Sequence, residues 1–176
     1  MKNVILRTGI YCSLALIVFF LITLGIGKNL SFELQEVIGY VGIILCLIFV
    51  YFGIRQYRDK VNGGLLSFGQ GIKVGLLIVL LPAVLFGIFD VAYSTYINPG
   101  FYDEYCTAQL AKLQQSVSAA EYEVKSKQIK AQMELFKNNP LFQFFVMALT
   151  VIIVGFIITV ISSLILRKNK PNTSFA

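Results

Sequence analysis

Apolar runs dominate the chain at four places: Thr8 to Gly27, Val37 to Ile54, Val74 to Ile97 and Leu141 to Leu166. Asp90 is the only charged residue inside any of them. A hydrocarbon core about 30 Å thick is crossed by roughly 20 apolar residues in a helix, and each run is near or above that length. A water-soluble bundle needs a polar face on every surface helix, and the second and fourth runs have none. The runs therefore predict a single all-α integral membrane domain over residues 1–176, with four transmembrane helices at about 8–27, 37–54, 74–97 and 141–166.

Between the third and fourth spans lies one long polar segment. Asn98, Pro99 and Gly100 punctuate its start, and Asn138, Asn139 and Pro140 its end. Within it, Cys106, Leu110, Leu113, Val117, Ala120 and Val124 recur at alternating steps of four and three, while Tyr122, Ser126, Ile129, Met133 and Phe136 do so in another phase. Two phases mean two helices. A single helix of about 36 residues would run about 54 Å, yet its ends must rejoin neighbouring spans. The expectation is a helical hairpin over 101–138, outside the membrane, turning near Gln115 to Ser118. Ser118 and Glu121 have the spacing of a capping box, as do Ser67 and Gln70 after the Asn62-Gly63-Gly64 turn. The latter pair predicts that the third helix starts near Ser67.

Composition agrees with a lipid environment: 57% of residues are hydrophobic and 14% charged. The net charge of +6 resides at span ends, where lipid headgroups lie, so nucleic acid is not an expected partner. Membrane lipid is, together with a protein partner through residues 101–138 or a second copy of the chain. Basic residues flanking spans are retained in the cytoplasm. Lys2, Arg7, Arg55, Arg58, Lys60, Lys73, Arg167, Lys168 and Lys170 fall on one side, against Lys28, Lys112, Lys125, Lys127, Lys130 and Lys137 on the other. Both termini are therefore expected in the cytoplasm. The first run is longer than a signal-peptide core, and its end, Leu24 to Gly27, offers no good cleavage site, so it reads as a retained anchor. Cys12, Cys46 and Cys106 are scattered without a C-x-x-C pair, and the first two read as small apolar filler.

Candidate chemistry is sparse. Asp90 sits roughly 7 Å beyond the midpoint of its span, where an unpaired ion costs on the order of 3 kcal/mol, so it must face protein or water or be protonated. Tyr93 and Ser94, three and four residues on, can reach it along the helix. Asp90 is either a proton or cation site or a hydrogen-bonded packing residue. Pro82 removes the helix bond to the carbonyl of Ile78 and predicts a kink. Gly69, Gly71 and Gly75 resemble a dinucleotide loop only superficially, because the spacing is wrong and no strand precedes them; Gly71 and Gly75 read as close packing. Ala148, Gly155 and Ser162, at intervals of seven with Thr159 alongside, predict a small-residue contact face on the fourth span. Tyr51 and Tyr57 at one interface, and Tyr93, Tyr96, Tyr102 and Tyr105 at the other, suit aromatic belts. The chain has no histidine, which removes His-ligated haem, the usual zinc sites and His-dependent triads. Neither an enzyme nor a metal or other cofactor is expected.

The run Ser67, Phe68, Gly69, Gln70, Gly71, Ile72, Lys73, Val74, Gly75 entering a span, and Tyr93, Tyr96, Ile97, Asn98, Pro99, Gly100, Phe101 leaving it, resemble domain-of-unknown-function family 4199. That is a group of small four-span proteins of Bacteroidetes-type bacteria, and the resemblance implies a bacterial inner-membrane location. It carries no activity and no functional residue. The leading expectation is a non-enzymatic structural or interaction protein presenting its hairpin outside the membrane. The alternative is a small transporter or channel subunit using Asp90 and the kinked third span.

Overall fold

The computed structural model describes residues 1–27 and 30–168; Lys28 and Lys170, both used for orientation, lie outside them. Among the described residues seven α-helices follow one another: α1 (Lys2–Ile26), α2 (Phe32–Leu47), α3 (Phe49–Lys60), α4 (Phe68–Ala92), α5 (Phe101–Ser116), α6 (Ala119–Asn138) and α7 (Pro140–Leu166). A π turn, Tyr93–Ile97, extends α4. The backbone of Ile48 is itself helical, so α2 and α3 continue as one apolar helix from Phe32 to Lys60. Four helices are thus long and apolar enough to cross a membrane.

Local chemistry explains the helix ends. Gly63 and Gly64 take left-handed φ values of 61° and 78°, which reverse the chain at no steric cost. Ser67 then caps α4 in a complete capping box: its hydroxyl accepts from Gln70 N at 3.3 Å, and Gln70 Oε1 accepts from Ser67 N at 3.0 Å. Ser31 accepts from Leu34 N at the start of α2, and Asn139 from Phe142 N at the start of α7, where Pro140 occupies the first turn. Ser118 precedes α6 without a side-chain bond, and Glu121 pairs with Lys125 at 2.9 Å instead of reaching back. The second capping box is therefore not formed, although the break falls at Val117 and Ser118 as its phase change predicts. Cys106, Leu110 and Leu113 on α5, Val117 just after it, and Tyr122, Ser126, Ile129, Met133 and Phe136 on α6, are buried or half-buried, whereas Ala120 and Val124 are exposed.

The four long helices run alternately up and down, with α4 at the centre against α7, α1 and α3. At one end the α3–α4 loop and the end of α7 are joined by an antiparallel bridge, Leu66 and Lys168 exchanging two 2.9 Å bonds. Arg58 Nη1 also donates to the carbonyl of Leu166, one of the orphan acceptors at the end of α7. At the opposite end α5 and α6 fold back on the bundle, with Phe32 against Phe101 and Lys112 paired to Glu33.

The packing is small inside and large outside. Gly155, Thr159, Ser162, Ser163, Ala148 and Gln143 are buried on α7, while Leu141, Phe145, Leu149, Ile153, Ile157 and Ile165 are exposed. Such an arrangement suits lipid, where close backbone approach, rather than hiding apolar area, holds helices together. On α4, a Cβ on Gly71 would collide with Ser163 and one on Gly75 with Thr159; on α7, a Cβ on Gly155 would collide with Val79. The Ser163 and Thr159 hydroxyls lack conventional partners. They lie where the glycine α-hydrogens point, so weak C–H···O contacts are available to them. Pro82 is buried within α4, and the carbonyl of Ile78 that it frees lies 3.3 Å from where a Cβ on Gly9 of α1 would stand. Overpacking of this kind costs about 1–3 kcal/mol, so Gly75→Leu should markedly lower the detergent-solubilised melting temperature. Gly69→Ala, whose Cβ meets nothing within 4 Å, should leave it unchanged or slightly raised in the same thermal scan.

Candidate functional site

Asp90 lies two residues before the end of α4, with partners from two other segments. Gln143, buried in the first turn of α7, donates from Nε2 to Asp90 Oδ2 at 2.6 Å and to Ser94 Oγ at 2.8 Å. Ser94 returns its proton to the carbonyl of Val91 at 3.2 Å. Tyr102, buried on α5, adds a longer 3.4 Å bond from its hydroxyl to the same Oδ2. Among the described residues no cation pairs with Asp90 and no bond is made to Oδ1. The carboxylate is held through one oxygen and offers the other.

The π turn makes this arrangement reachable. Its i to i+5 bond, Asn98 N to Tyr93 O at 2.8 Å, leads into Asn98 at φ −135° and ψ 78°, outside the α region that the following Pro99 disfavours. Gly100 then opens α5, and Tyr102 returns toward the bundle. Its ring stacks on Phe136 of α6 at 5.5 Å, and Phe136 meets Phe142 of α7 at 5.2 Å. Burial, reinforced by the charge of Asp90, pushes the Tyr102 phenol well above its ordinary range, so it stays a donor. Burial and neighbouring Glu36 also raise the Tyr105 phenol.

Beneath α5 and α6 lies a cavity of about 480 Å³ that reaches Asp90. Phe20 of α1, Phe86 and Phe89 of α4, Tyr93, and Phe101 and Tyr105 of α5 contribute to a nearly continuous ring-to-ring lining. Glu36, exposed on α2, stands in the same wall. Toward the α3–α4 loop, Ile78, Val79 and Val151 are fully buried and do not line the cavity.

The sequence-expected residues separate. Ser94 reaches Asp90 only through Gln143, and Tyr93 makes no bond to it but stacks on Phe89 at 6.4 Å. Pro82, Gly71, Gly75, Ala148, Gly155 and Ser162 are all buried in the bundle, away from the carboxylate. Gln143 and Tyr102 were not among the expected partners. Of the expected belt tyrosines, Tyr96 is 82% exposed, whereas Tyr57 and Tyr102 turn inward. Among the described residues no group of His, Cys, Asp or Glu is placed to hold a metal ion.

Residues 7–168 match the model of one protein family, described as "Protein of unknown function (DUF4199)", and the chain belongs to that family. No curated protein and no solved structure matches it.

A double-mutant cycle measures which partner holds Asp90. Asp90→Ala with Gln143→Ala should show a coupling of about 0.5–3 kcal/mol in unfolding free energy. The cycle with Tyr93→Ala should stay within about 0.5 kcal/mol.

Proposed function

We propose that this DUF4199 protein is a non-enzymatic, multi-pass protein of the bacterial inner membrane that holds a small apolar or amphipathic molecule. The site is the cavity roofed by α5 and α6, and that roof is the extracytoplasmic hairpin. The observation that carries the proposal is the combination of a cavity of about 480 Å³, an aromatic lining and one intramembrane carboxylate with an unbonded oxygen. Ligand sites are commonly concave, mostly apolar and equipped with a few polar groups that fix orientation. No His-based machinery exists in the chain to act on what is bound. The orientation proposed places both termini in the cytoplasm, with membrane lipid around the bundle and no nucleic-acid partner.

A transporter or channel subunit using Asp90 is the rival. On α4 the lining runs only over Phe86, Phe89 and Asp90, and Ile78 and Val79, nearer the other end of the helix, are fully buried, which favours holding over conduction. The hairpin's apolar stripes are spent on its own fold and on the bundle, which leaves residues 101–138 less free for a protein partner, or a second copy, than the sequence alone suggests.

Mild-detergent purification followed by native mass spectrometry tests the proposal. Wild type should retain about one small molecule or lipid per chain, and Gly39→Phe, which fills the cavity wall, should lose it. Identical bound masses in both proteins would count against the cavity. Orientation is tested separately by a cytoplasm-dependent fluorescent reporter fused after Lys168. It should fluoresce, and secretion of the fusion in an inactive form would reverse the topology.

A further inference from the structure

The charge and lining of the cavity specify its occupant further, and this step rests on the proposal that the cavity holds a ligand. We infer that the ligand is a lipophilic organic cation: an aromatic or bulky apolar body carrying a tertiary or quaternary ammonium, or a phosphonium-like centre.

Sign is the first argument. The chain as a whole carries a net charge of +6, so an average surface would be basic. The cavity wall is the opposite: its ionisable acids are Asp90 and Glu36, and among the described residues no lysine or arginine lines it. Two lysines at the same end of the bundle are engaged with surface acids, Lys112 with Glu33 and Lys137 with Asp103. Neither lines the cavity, although Lys112 also feels the charge of Glu36. Asp90 keeps Oδ1 unbonded while Gln143 and Tyr102 fix Oδ2, so the carboxylate is oriented without being satisfied. A carboxylate in such surroundings takes a cation far more readily than a neutral or anionic group.

Lining is the second argument. Ten of the chain's 24 aromatic side chains line this one cavity. Aromatic faces are negative at their centres and attract cations that water hydrates weakly, which is the recognised means of holding quaternary ammonium groups. Met133 and Met147 supply pliable, polarisable surface between the rings. A small hydrated metal ion would find too few oxygens here, since Asp90 and Glu36 are the only carboxylates among the described residues of the wall. The apolar body of an organic cation would instead use the rings, and its charge would use Asp90 at the inner wall and Glu36 near the exposed side.

The test uses full-length protein in nanodiscs of zwitterionic phosphatidylcholine, with empty nanodiscs as reference, and two probes of matched shape and opposite sign: tetraphenylphosphonium and tetraphenylborate. Tetraphenylphosphonium should bind saturably at one site per chain, at least about tenfold more tightly than tetraphenylborate. Asp90→Asn should weaken it about tenfold and Glu36→Gln about threefold, with tetraphenylborate not weakened by either. Glu36 is exposed, so Glu36→Gln reports on charge even where Asp90→Asn fails to fold. Equal affinity for the two probes would overturn charge selection while leaving a cavity that binds apolar molecules. Tetraphenylphosphonium binding unmoved by both substitutions would place the cation elsewhere and overturn the assignment. Absence of binding by either probe would also overturn it; if native mass spectrometry then found no retained molecule, the holding function itself would fall too.

Discussion

Backbone contact between α4 and α7 is what the rest of the molecule is built around. In lipid, two helices gain nothing by hiding leucines from a solvent as apolar as leucine, so their attraction depends on how closely the main chains approach. Gly71, Gly75 and Gly155 create that approach by receiving Ser163, Thr159 and Val79. Gly87 does the same near the cavity, where it receives Phe144. Once these positions interlock, the rotation of α7 about its axis is fixed. Gln143, one residue before Phe144, then meets Asp90 across the helix pair.

The polar cluster is thus a product of apolar packing. Asp90 receives no help from its own helix, and the groups that hold it come from α5 and α7. Segments distant in sequence share a single carboxylate oxygen, and the aromatic path from Phe20 to Tyr105 surrounds the space this leaves. Charge on the polar helices is handled outside the cavity: Lys125 and Lys127 bond Glu121 and Glu123 along α6, and Lys137 reaches Asp103 on α5. A strongly basic chain can in this way enclose a site of the opposite sign.

Much of the fold could be read from residues alone because the signals were local. Apolar length marked the four long helices, Ser67 and Gln70 marked a helix start, and two phases marked the break between α5 and α6. The capping spacing at Ser118 misled, since Glu121 had a competing lysine four residues along the same helix. The site was harder to read for a physical reason. Gln143 stands at the beginning of an apolar run, where a single amide looks like a headgroup contact, and Tyr102 beyond a Pro-Gly turn looks like a belt residue. Both act through tertiary geometry that no spacing rule encodes. Asp90 itself was conspicuous because charge inside a span is rare, but its neighbours along the helix were the wrong ones to pair it with.

The π turn at Tyr93–Ile97 has a consequence for how this family can vary in length. A π turn holds one residue more than the α-helix it interrupts, which makes it equivalent to a single-residue insertion. Removing one residue there would rotate all that follows by about 100°, carrying Tyr102 away from Asp90. The junction between a span and a polar segment is ordinarily where chains tolerate gain or loss of residues most freely. Here it is a phased joint, so length changes are better accommodated at the far tip of the hairpin, around Val117 and Ser118, than at its root.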